Sequence, residues 1–543
     1  PWYGYMPGGQ APNNWNYQNQ AIDELTEKAY SGNFLNEDEY WDMALKGLEL
    51  GLKDAVRIYV CYQNRYYAAN RERFNRRMVY GLGDGLNKWS LVTADTTDGI
   101  LRITGFSAKG SLFMGAWDPI GVDGFSDEYS MVVAEPASDV AYFESPVNAI
   151  MTPLRAEVKD LETRVGRNDE GEVVGRIPVP ADAIMFNSAT KKWEKIGAGI
   201  KAMSRGTYFF KLGNYHHGRP INIAAILYRD ALRIEWMNRD GEDDKYYDSS
   251  FESNIKPGQK TLVGYVINKD ATITSYFNYH FPPSRERVAS WGAPGITVAG
   301  GRGVNVSWEI YEACALLVAE GSASGTVYSF TFGEAVEPDL LRKSSVDDIR
   351  ARLVEMKDSK WIPFGMRGYI SEAEAVYSYE AAIKWIDEKG HAFIGSGPFM
   401  IEKYDPVSNF MELSAFRDPS YPYKSDYWPK HFETYAVQID SLEMPSRVAR
   451  TAAEGLPVTI YVSEILYPDG TRSPAENAEV SIMLITLTEE ISFTAKKVET
   501  GIYEAVVPAG TLKGLEPGSY TILANAEVKG AVPAAIASTT TVY

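Results

Sequence analysis

The sequence predicts a mixed α/β region up to about residue 445, followed by a smaller all-β domain. Before Pro445, amphipathic helical periods alternate with short apolar strands. After Pro445, short strands rich in Val, Ile and Thr recur between Pro-Asp-Gly and Pro-Gly turns. Length supports this division, because 543 residues are too many for one ordinary domain.

The first 61 residues predict a loop, two helices and a strand. Pro, Gly and Asn interrupt every apolar pair in residues 1–18. A first helix is expected over residues 21–30, and a second begins at N-cap Asn36, where Glu39 completes a capping box. A strand of alternating polarity is expected over residues 56–61. The second helix carries an apolar row at helical spacing, made of Trp41, Ala44, Leu45, Leu48 and Leu52.

Strand and helix patterns alternate between residues 90 and 415. The expected elements are strands at 101–106 and 206–212, hairpins at 261–278 and within 391–428, and helices at 221–236, 339–357 and 372–389. The second hairpin turns at Asp405–Pro406, and a Gly-Ser-Gly-Pro-Phe run precedes it. Glycines in such a run let a ligand or a facing lobe approach the backbone closely.

The C-terminal region has the strand count and spacing of an immunoglobulin-like sandwich. It lacks the Cys, Trp and Cys residues that form the core of true immunoglobulin domains, so only the architecture is predicted. The expected strands are 458–462, 479–485, 502–507 and 519–526.

Composition excludes some classes of partner. With 72 acidic and 54 basic residues, the formal net charge is −18, which repels nucleic acid and anionic membrane surfaces. No run of 18 apolar residues is present, so no membrane-spanning segment is predicted. Aromatic residues make up 13% of the chain. They indicate either stacking platforms for a ligand or a tyrosine-rich core and surface.

The residues that could support catalysis form no catalytic pattern. His216 and His217 lie in a strand-end turn, and the five histidines include no metal-ligand spacing. Ser396 lies between glycines but lacks the Gly-x-Ser-x-Gly pattern of a nucleophile elbow. The distant Cys61 and Cys314 have no metal or thioredoxin spacing, and are either one disulfide or two buried thiols. We therefore expect no enzyme activity and no cofactor.

One segment of the chain resembles a known family. Residues 391–428, HAFIGSGPFMIEKYDPVSNFMELSAFRDPSYPYKSDYW, resemble the signature GTGPF…Y…NPDYW of family 5 extracytoplasmic solute-binding proteins. These are the oligopeptide and dipeptide receptors of ABC importers. Residues 205–236, 112–134 and 16–62 resemble further segments of the same family.

The order of these segments differs from that of most family members. The segment at residues 16–62 usually lies near the C-terminus, but here it comes first. The resemblance therefore implies a circularly permuted variant of the kind associated with archaeal members, with a second ligand-binding lobe upstream of residue 1. It implies three regions: the tail of the second lobe with crossover helices (1–55), a periplasmic-binding-protein-like lobe of the type II, peptide-binding class (56–447), and an Ig-like β-sandwich (448–543).

The resemblance also implies ligand contacts, where the family's cleft segments fall in this chain. For each aromatic residue among them, plain core packing is the alternative. The implied contacts are Trp15, Tyr17, Trp117, Asp118, Tyr129, Gly395, Ser396, Gly397 and Phe399.

The function implied is capture of oligopeptides or oligosaccharides between two lobes, for delivery to an ABC permease. The expected location is extracellular, at the cell surface, with membrane tethering through segments absent from this chain. The alternative is a structural cell-surface protein that forms filaments or a surface layer through free strand edges of its sandwich. Expected partners are a small ligand, the permease subunits, and an upstream-lobe polypeptide or further copies of the chain.

Overall fold

The computed structural model describes residues 19–55, 67–75, 77–81, 86–105, 128–249, 251–295, 306–330, 335–486, 488–529 and 531–543, without the side chains of residues 128–131, 254 and 532. The chain divides into two compact units. Unit 1 holds the described residues of Pro1–Tyr67 and Ile103–Tyr423. Unit 2 holds those of Ala68–Arg102 and Lys424–Tyr543.

Helices occur mainly in unit 1. In chain order they are α1 (Gln20–Ser31), α2 (Glu37–Asp54), α3 (Lys88–Thr93), α4 (Glu128–Ala137), α5 (Ile223–Met237), α6 (Lys256–Gln259), α7 (Arg285–Trp291), α8 (Trp308–Glu320), α9 (Lys343–Asp358), α10 (Glu372–Lys389), α11 (Tyr427–His431) and α12 (Ala509–Gly514). Of these, α3, α11 and α12 belong to unit 2.

Strands β1 to β14 belong to unit 1. They are β1 (Tyr142–Glu144), β2 (Met151–Pro153), β3 (Ala156–Thr163), β4 (Val165–Arg167), β5 (Val173–Gly175), β6 (Ile177–Pro178), β7 (Ile184–Asn187), β8 (Lys192–Lys195), β9 (Lys201–Ala202), β10 (Ser204–Phe210), β11 (Leu262–Ile267), β12 (Ile273–Phe277), β13 (Phe399–Asp405) and β14 (Phe410–Ala415).

A six-stranded antiparallel sheet in unit 1 has the order β3-β10-β12-β11-β7-β8. The predicted strand at 206–212 and the predicted hairpin at 261–278 correspond to β10 and to β11 with β12. The predicted hairpin after residue 391 is formed by β13 and β14, which pair antiparallel from Phe399 opposite Ala415 to Asp405 opposite Phe410. Residues 101–105 form no strand, contrary to prediction. The predicted strand at 56–61 lies outside the described residues.

Helix α5 is buried on every side, as are most residues of α8. It begins at N-cap Asn222, whose side chain accepts a hydrogen bond from the amide of Ala225. Unit 1 has a continuous apolar core in which α5, α8, α9 and α10 contribute side chains such as Trp236, Tyr311, Leu353 and Tyr379. The interior of unit 1 is therefore largely helical, and any charged residue on α5 is buried with it.

Helices α1 and α2 confirm the two predicted N-terminal helices. Asn36 caps α2 by accepting from the amide of Glu39 at 2.9 Å. The capping-box prediction is wrong in one detail, because the Glu39 carboxylate accepts from the amide of Leu35 and not from that of Asn36. The apolar row of α2 is not covered, since its four large side chains are about half exposed: Trp41 (45%), Leu45 (59%), Leu48 (50%) and Leu52 (60%).

Unit 2 contains the predicted β-sandwich. Its strands are β15 (Thr434–Glu443), β16 (Arg447–Val448), β17 (Leu456–Tyr467), β18 (Thr471–Pro474), β19 (Glu479–Ile485), β20 (Glu490–Thr494), β21 (Lys496–Glu499), β22 (Ile502–Val507), β23 (Gly518–Glu527), β24 (Ala531–Val532) and β25 (Ala534–Val542). The sheets have the orders β21-β22-β17-β15-β24, with β18 on β17, and β16-β25-β23-β19-β20. Both contribute to one aliphatic core.

Two segments pass from one sheet of the sandwich to the other. Only Ala495 separates β20 from β21, and only Pro533 separates β24 from β25, although the two members of each pair belong to different sheets. The strands at the ends of the two sheets are short, with five residues in β20 and four in β21. Two lysines, Lys496 and Lys497, lie on β21, which is a common means of discouraging edge pairing.

Unit 2 also includes the described residues of Ala68–Arg102, which fall within the predicted lobe at 56–447. The hydroxyl of Tyr467 donates to the carbonyl of Tyr80 at 2.6 Å and accepts from its amide at 2.8 Å. Trp89 packs against Trp428 with 4.2 Å between ring centroids. The predicted boundary at 447/448 falls inside unit 2, because β15 pairs along β17. The assignment of residues 1–55 to a second lobe stays a prediction.

Candidate functional site

A small cavity of about 30 Å³ lies within unit 1. A volume of this order admits one or two water molecules or a small polar group. The lining combines charged, aromatic and aliphatic side chains: Asp139, Arg155, Lys211, Leu212, Tyr215, Ile221, Ala225, Ile226, Arg229, Gly295, Val306, Trp308 and Ser396. Such a mixture is typical of sites that bind small molecules, where apolar walls surround a few polar groups.

Arg155 ties together three distant parts of the cavity wall. Its Nε donates to the carboxylate of Asp139 at 2.8 Å, and both side chains are almost fully buried. Its Nη1 donates to the carbonyl of Lys211 at 2.9 Å, and its Nη2 to that of Ser396 at 2.6 Å. Because the guanidinium presents donors in a rigid plane, these bonds fix the relative positions of all three segments.

Tyr421 completes this cluster from a fourth segment. Its hydroxyl donates to Asp139 at 3.1 Å, and the Arg155 guanidinium lies 5.0 Å from the centre of its ring. Burial raises the pKa of the Tyr421 hydroxyl well above its usual range, and the nearby Asp139 carboxylate acts in the same direction. Tyr421 therefore stays a neutral donor to Asp139.

The Gly-Ser-Gly run packs against the end of α4. A Cβ on Gly395 would lie 1.9 Å from the carbonyl oxygen of Ala137, and one on Gly397 would lie 2.4 Å from that of Pro136. Glycine is therefore required at both positions because the two backbones nearly touch. The close approach expected for a ligand or facing lobe is made here by residues of the same unit.

His216 and His217 make buried contacts in the turn that follows β10. The amide of His216 donates to the carbonyl of Gly395 at 2.9 Å, and its ring Nε2 lies 3.1 Å from the carbonyl of Gly397. Burial lowers the pKa of the His216 imidazole to about 3, so the ring is neutral and Nε2 is a donor. The His217 ring contacts the buried carboxylate of Glu309, in the first turn of α8.

Positive charge predominates around the cavity. Arg155, Lys211 and Arg229 line it, against the single carboxylate of Asp139. Arg229 stacks over the Tyr311 ring at 3.8 Å, and burial lowers the pKa of its guanidinium to about 9. The Lys211 ammonium lies 3.4 Å from both Glu157 and the Tyr423 hydroxyl. The lining therefore favours polar or anionic groups over cations.

The structure places only some of the residues predicted to contact a ligand. Ser396 lines the cavity, Gly395 and Gly397 are buried beside it, and Phe399 begins β13 half-buried. Tyr129 lies in α4, but its side chain is outside the described residues. Trp15, Tyr17, Trp117 and Asp118 also lie outside them. Ligand contact by these residues stays a prediction.

Cys314 is a buried free thiol on α8, and burial raises its pKa. Cys61 lies outside the described residues; because Cys314 is free, the alternative of a buried thiol holds for Cys314 and the predicted disulfide is not formed there. Within the described ranges, no group of three or more His, Cys, Asp or Glu side chains is arranged to hold a metal ion. No helix in the described part of the chain is long and apolar enough to cross a membrane.

The charged residues of the cavity were not predicted from the sequence. One signal was present on α5, where the charged residues Arg229, Asp230, Arg233 and Glu235 interrupt an otherwise apolar and aromatic helix. Charged residues in such a helix must be buried, so they are candidates for paired or functional groups. Arg155 and Asp139 carry no comparable local signal, because their pairing depends on contacts across the fold.

Comparisons with known proteins give little further information. No protein-family model matches the chain, and no curated protein sequence matches it either. Among solved structures, AggA, the major subunit of aggregative adherence fimbriae type I from Escherichia coli, is similar to a part of the chain at 17% identity. The similarity covers 20% of this chain and 92% of AggA, with a TM-score of 0.11, and carries no argument about fold or function.

Proposed function

We propose that this protein is an extracytoplasmic substrate-binding protein of an ABC transporter. It captures oligopeptides or oligosaccharides between two lobes and delivers them to a membrane permease. The observation that carries the proposal is the segment at residues 391–428, which resembles the family signature and contributes Ser396 to the wall of the polar cavity. Arg155 joins the carbonyl of Ser396 directly to the ionic cluster.

The chemistry of the cavity fits capture without reaction. Trp308 and Tyr215 give the cavity buried aromatic walls, and the cationic groups of Lys211 and Arg229 supply polar contacts. Arg155 and Asp139 are committed to each other and to backbone groups, so they hold the wall rigid. In the proposal a second lobe covers this wall and excludes water when a ligand binds.

Titration calorimetry with defined peptide and oligosaccharide pools tests the proposal on native material from the cell surface. Intact-mass measurement of the same material establishes whether an upstream lobe accompanies the chain. We expect binding by material that contains both lobes, and about tenfold weaker binding for Lys211→Met, which corresponds to roughly 1.4 kcal/mol. Lys430→Met, an exposed change in unit 2, is the matched control. Two-lobe material that binds neither pool would sink the proposal.

The alternative, a structural protein of the cell surface, has one feature in its favour. The outer edge of β15 is paired with β24 only at Tyr435 and Ala436, so most of this ten-residue strand has a single partner strand within the described residues. A donor strand from a neighbouring copy could pair there. Regular polymers in electron micrographs, lost when Gln438 is changed to Pro, would favour this alternative. A protein that stays monomeric would exclude it.

A further inference from the structure

Helix α2 exposes a narrow apolar row, which we call the α2 seam, made of Trp41, Leu45, Leu48 and Leu52. The four side chains are about half exposed, although three of them are leucines. Contiguous exposed apolar rows on soluble proteins mark surfaces that bind other molecules. The ring nitrogen of Trp41 donates to Glu37 at 3.0 Å, so its polar atom is satisfied within the helix, and the ring, which packs against Tyr40 at 5.1 Å between centroids, is still 45% exposed.

The spacing of the α2 seam identifies the shape of its partner. The intervals between successive members are four, three and four residues, which is the alternation of d and a positions in a heptad repeat. This alternation keeps one straight line of side chains along the helix, and the surface that best fits such a line is another α-helix packed side by side. A strand or a flat sheet has no matching period.

The helix is anchored in the fold while its seam stays exposed. Helix α1 packs against α2, and the loop between them is held by Phe34, which is 1% exposed. The carbonyl of Phe34 accepts from His280 Nε2 at 2.6 Å, and Arg167 donates to both Asn33 and Glu39. The α2 seam is therefore presented on a fixed support, which lowers the entropic cost of binding a partner.

The charged residues beside the α2 seam indicate the sign of charge that a partner helix needs beside its own apolar row. Four exposed acidic residues border the seam, each three or four positions from one of its members: Glu37, Asp38, Asp42 and Glu49. The whole helix carries six carboxylates and two lysines, and both lysines bind Glu49. A second copy of α2 would bring like charges together, which disfavours pairing of the seam with itself.

We propose that the α2 seam binds an amphipathic helix of another polypeptide, whose apolar seam is flanked by Lys or Arg. The apolar contacts supply affinity, and the basic flanks select this helix over an acidic one. The proposal concerns α2 alone and holds whether or not the cavity of unit 1 binds a solute.

Two synthetic helical peptides test the proposal on the full chain. Both have Leu at the a and d positions, and they differ only in carrying Lys or Glu at the flanking positions. By fluorescence anisotropy we expect the Lys peptide to bind at least tenfold more tightly than the Glu peptide at low salt, with the difference shrinking in 0.5 M salt. Equal affinity for both peptides, or no binding of the Lys peptide, would overturn the proposal.

Variants of the protein separate seam binding from attraction to an acidic surface. The double change Leu45→Gln with Leu48→Gln should weaken the Lys peptide at least tenfold, with an unchanged melting temperature because both side chains are exposed. Val407→Gln, at a position 96% exposed in the β13–β14 turn, is the matched control and should bind as the wild type does. Equal binding by all three proteins refutes the inference. So does a seam-dependent dimer in sedimentation velocity, because the occupant would then be a second copy.

Discussion

The two units fill their interiors in different ways. The core of the sandwich in unit 2 is almost entirely aliphatic, with residues such as Val458, Ile460 and Ile482 contributed by both sheets. Unit 1 encloses the Arg155–Asp139 pair and the His217–Glu309 contact. Burying charge costs free energy that pairing only partly returns. Unit 1 therefore keeps polar groups at fixed positions at the expense of stability, whereas no charged side chain among the described residues of unit 2 is buried.

Removing one partner of a buried ion pair should cause the largest loss of unfolding free energy. In Asp139→Asn, Arg155 stays buried without its counter-charge, and we expect unit 1 to lose about 3–5 kcal/mol of unfolding free energy. The matched change in unit 2 is Asp440→Asn, which loses an ion pair with Arg472 that is partly exposed and should cost less than about 1 kcal/mol. Peptide-resolved hydrogen exchange measures both units in one sample. Equal losses in the two units would contradict the comparison.

Adding a methyl group where the Gly-Ser-Gly run nearly touches the end of α4 should cause the second-largest loss of unfolding free energy. Gly395→Ala places a Cβ against the Ala137 carbonyl, and we expect a loss of about 1–3 kcal/mol from overpacking. Gly510→Ala, in α12 of unit 2, meets no atom within 4 Å and should be neutral or slightly stabilising. Denaturant midpoints of the two variants test this. An unaffected Gly395→Ala variant would mean that α4 and the Gly-Ser-Gly run separate without cost.

Lowering the pH should reduce the unfolding free energy of unit 1, because two of its histidines are buried in the neutral form. Burial lowers the pKa of His216 to about 3 and that of His391 to about 4, whereas an unfolded histidine titrates near 6.5. The unfolded chain therefore takes up these protons first, so the stability present above pH 6.5 is lost as the pH falls towards 4. At pH 5 each histidine should account for about 2 kcal/mol. His391→Gln should remove its share of the pH dependence in urea titrations, and an unchanged slope would refute this.

A smaller effect of opposite sign is expected at Glu235. Burial raises the pKa of its carboxyl to about 7, although the Nζ of Lys191 lies 2.5 Å from its Oε1. The folded state thus holds a proton that the unfolded chain has released, and stability contributed by Glu235 is lost as the pH rises from about 4.5 to 7. The Glu235 side chain is almost fully buried, and because Glu235→Gln also loses the ionic contact with Lys191, the variant should stabilise the protein by only about 1 kcal/mol at pH 8. Thermal melts at pH 5 and pH 8 measure the difference in stability between Glu235→Gln and the wild type. A variant less stable than the wild type at pH 8 would contradict the expected direction.

Local patterns predicted much of the secondary structure. The helix at 372–389 is marked by Ser371 and Glu374, which form a capping box, and it ends at Gly390 in the left-handed conformation. The hairpin after residue 398 follows from the Asp405–Pro406 turn, and the sandwich strands follow from their alternating polarity. These features depend on residues close together in sequence, so the sequence alone specifies them.

Contacts between distant residues could not be predicted in this way. Arg155 and Ser396 are 241 positions apart, and no periodicity links them. Residues 68–102 carry no signal that assigns them to the sandwich, because the contacts of Tyr80 and Trp89 lie beyond residue 423. The exposure of the α2 seam could not be predicted either, because the same leucine spacing occurs on helix faces that are buried in the core and on faces that are exposed.

The connectivity of unit 2 has a consequence for the order in which the protein folds during synthesis. Tyr80 leaves the ribosome 387 residues before Tyr467, and the whole of Ile103–Tyr423 is made between them. The contacts that residues 68–102 make with Lys424–Tyr543 therefore cannot form until most of unit 1 has been synthesised. Contacts across so long a loop also form slowly. A chain that stops before the sandwich would leave Trp89 and Tyr80 without the side chains of Trp428 and Tyr467.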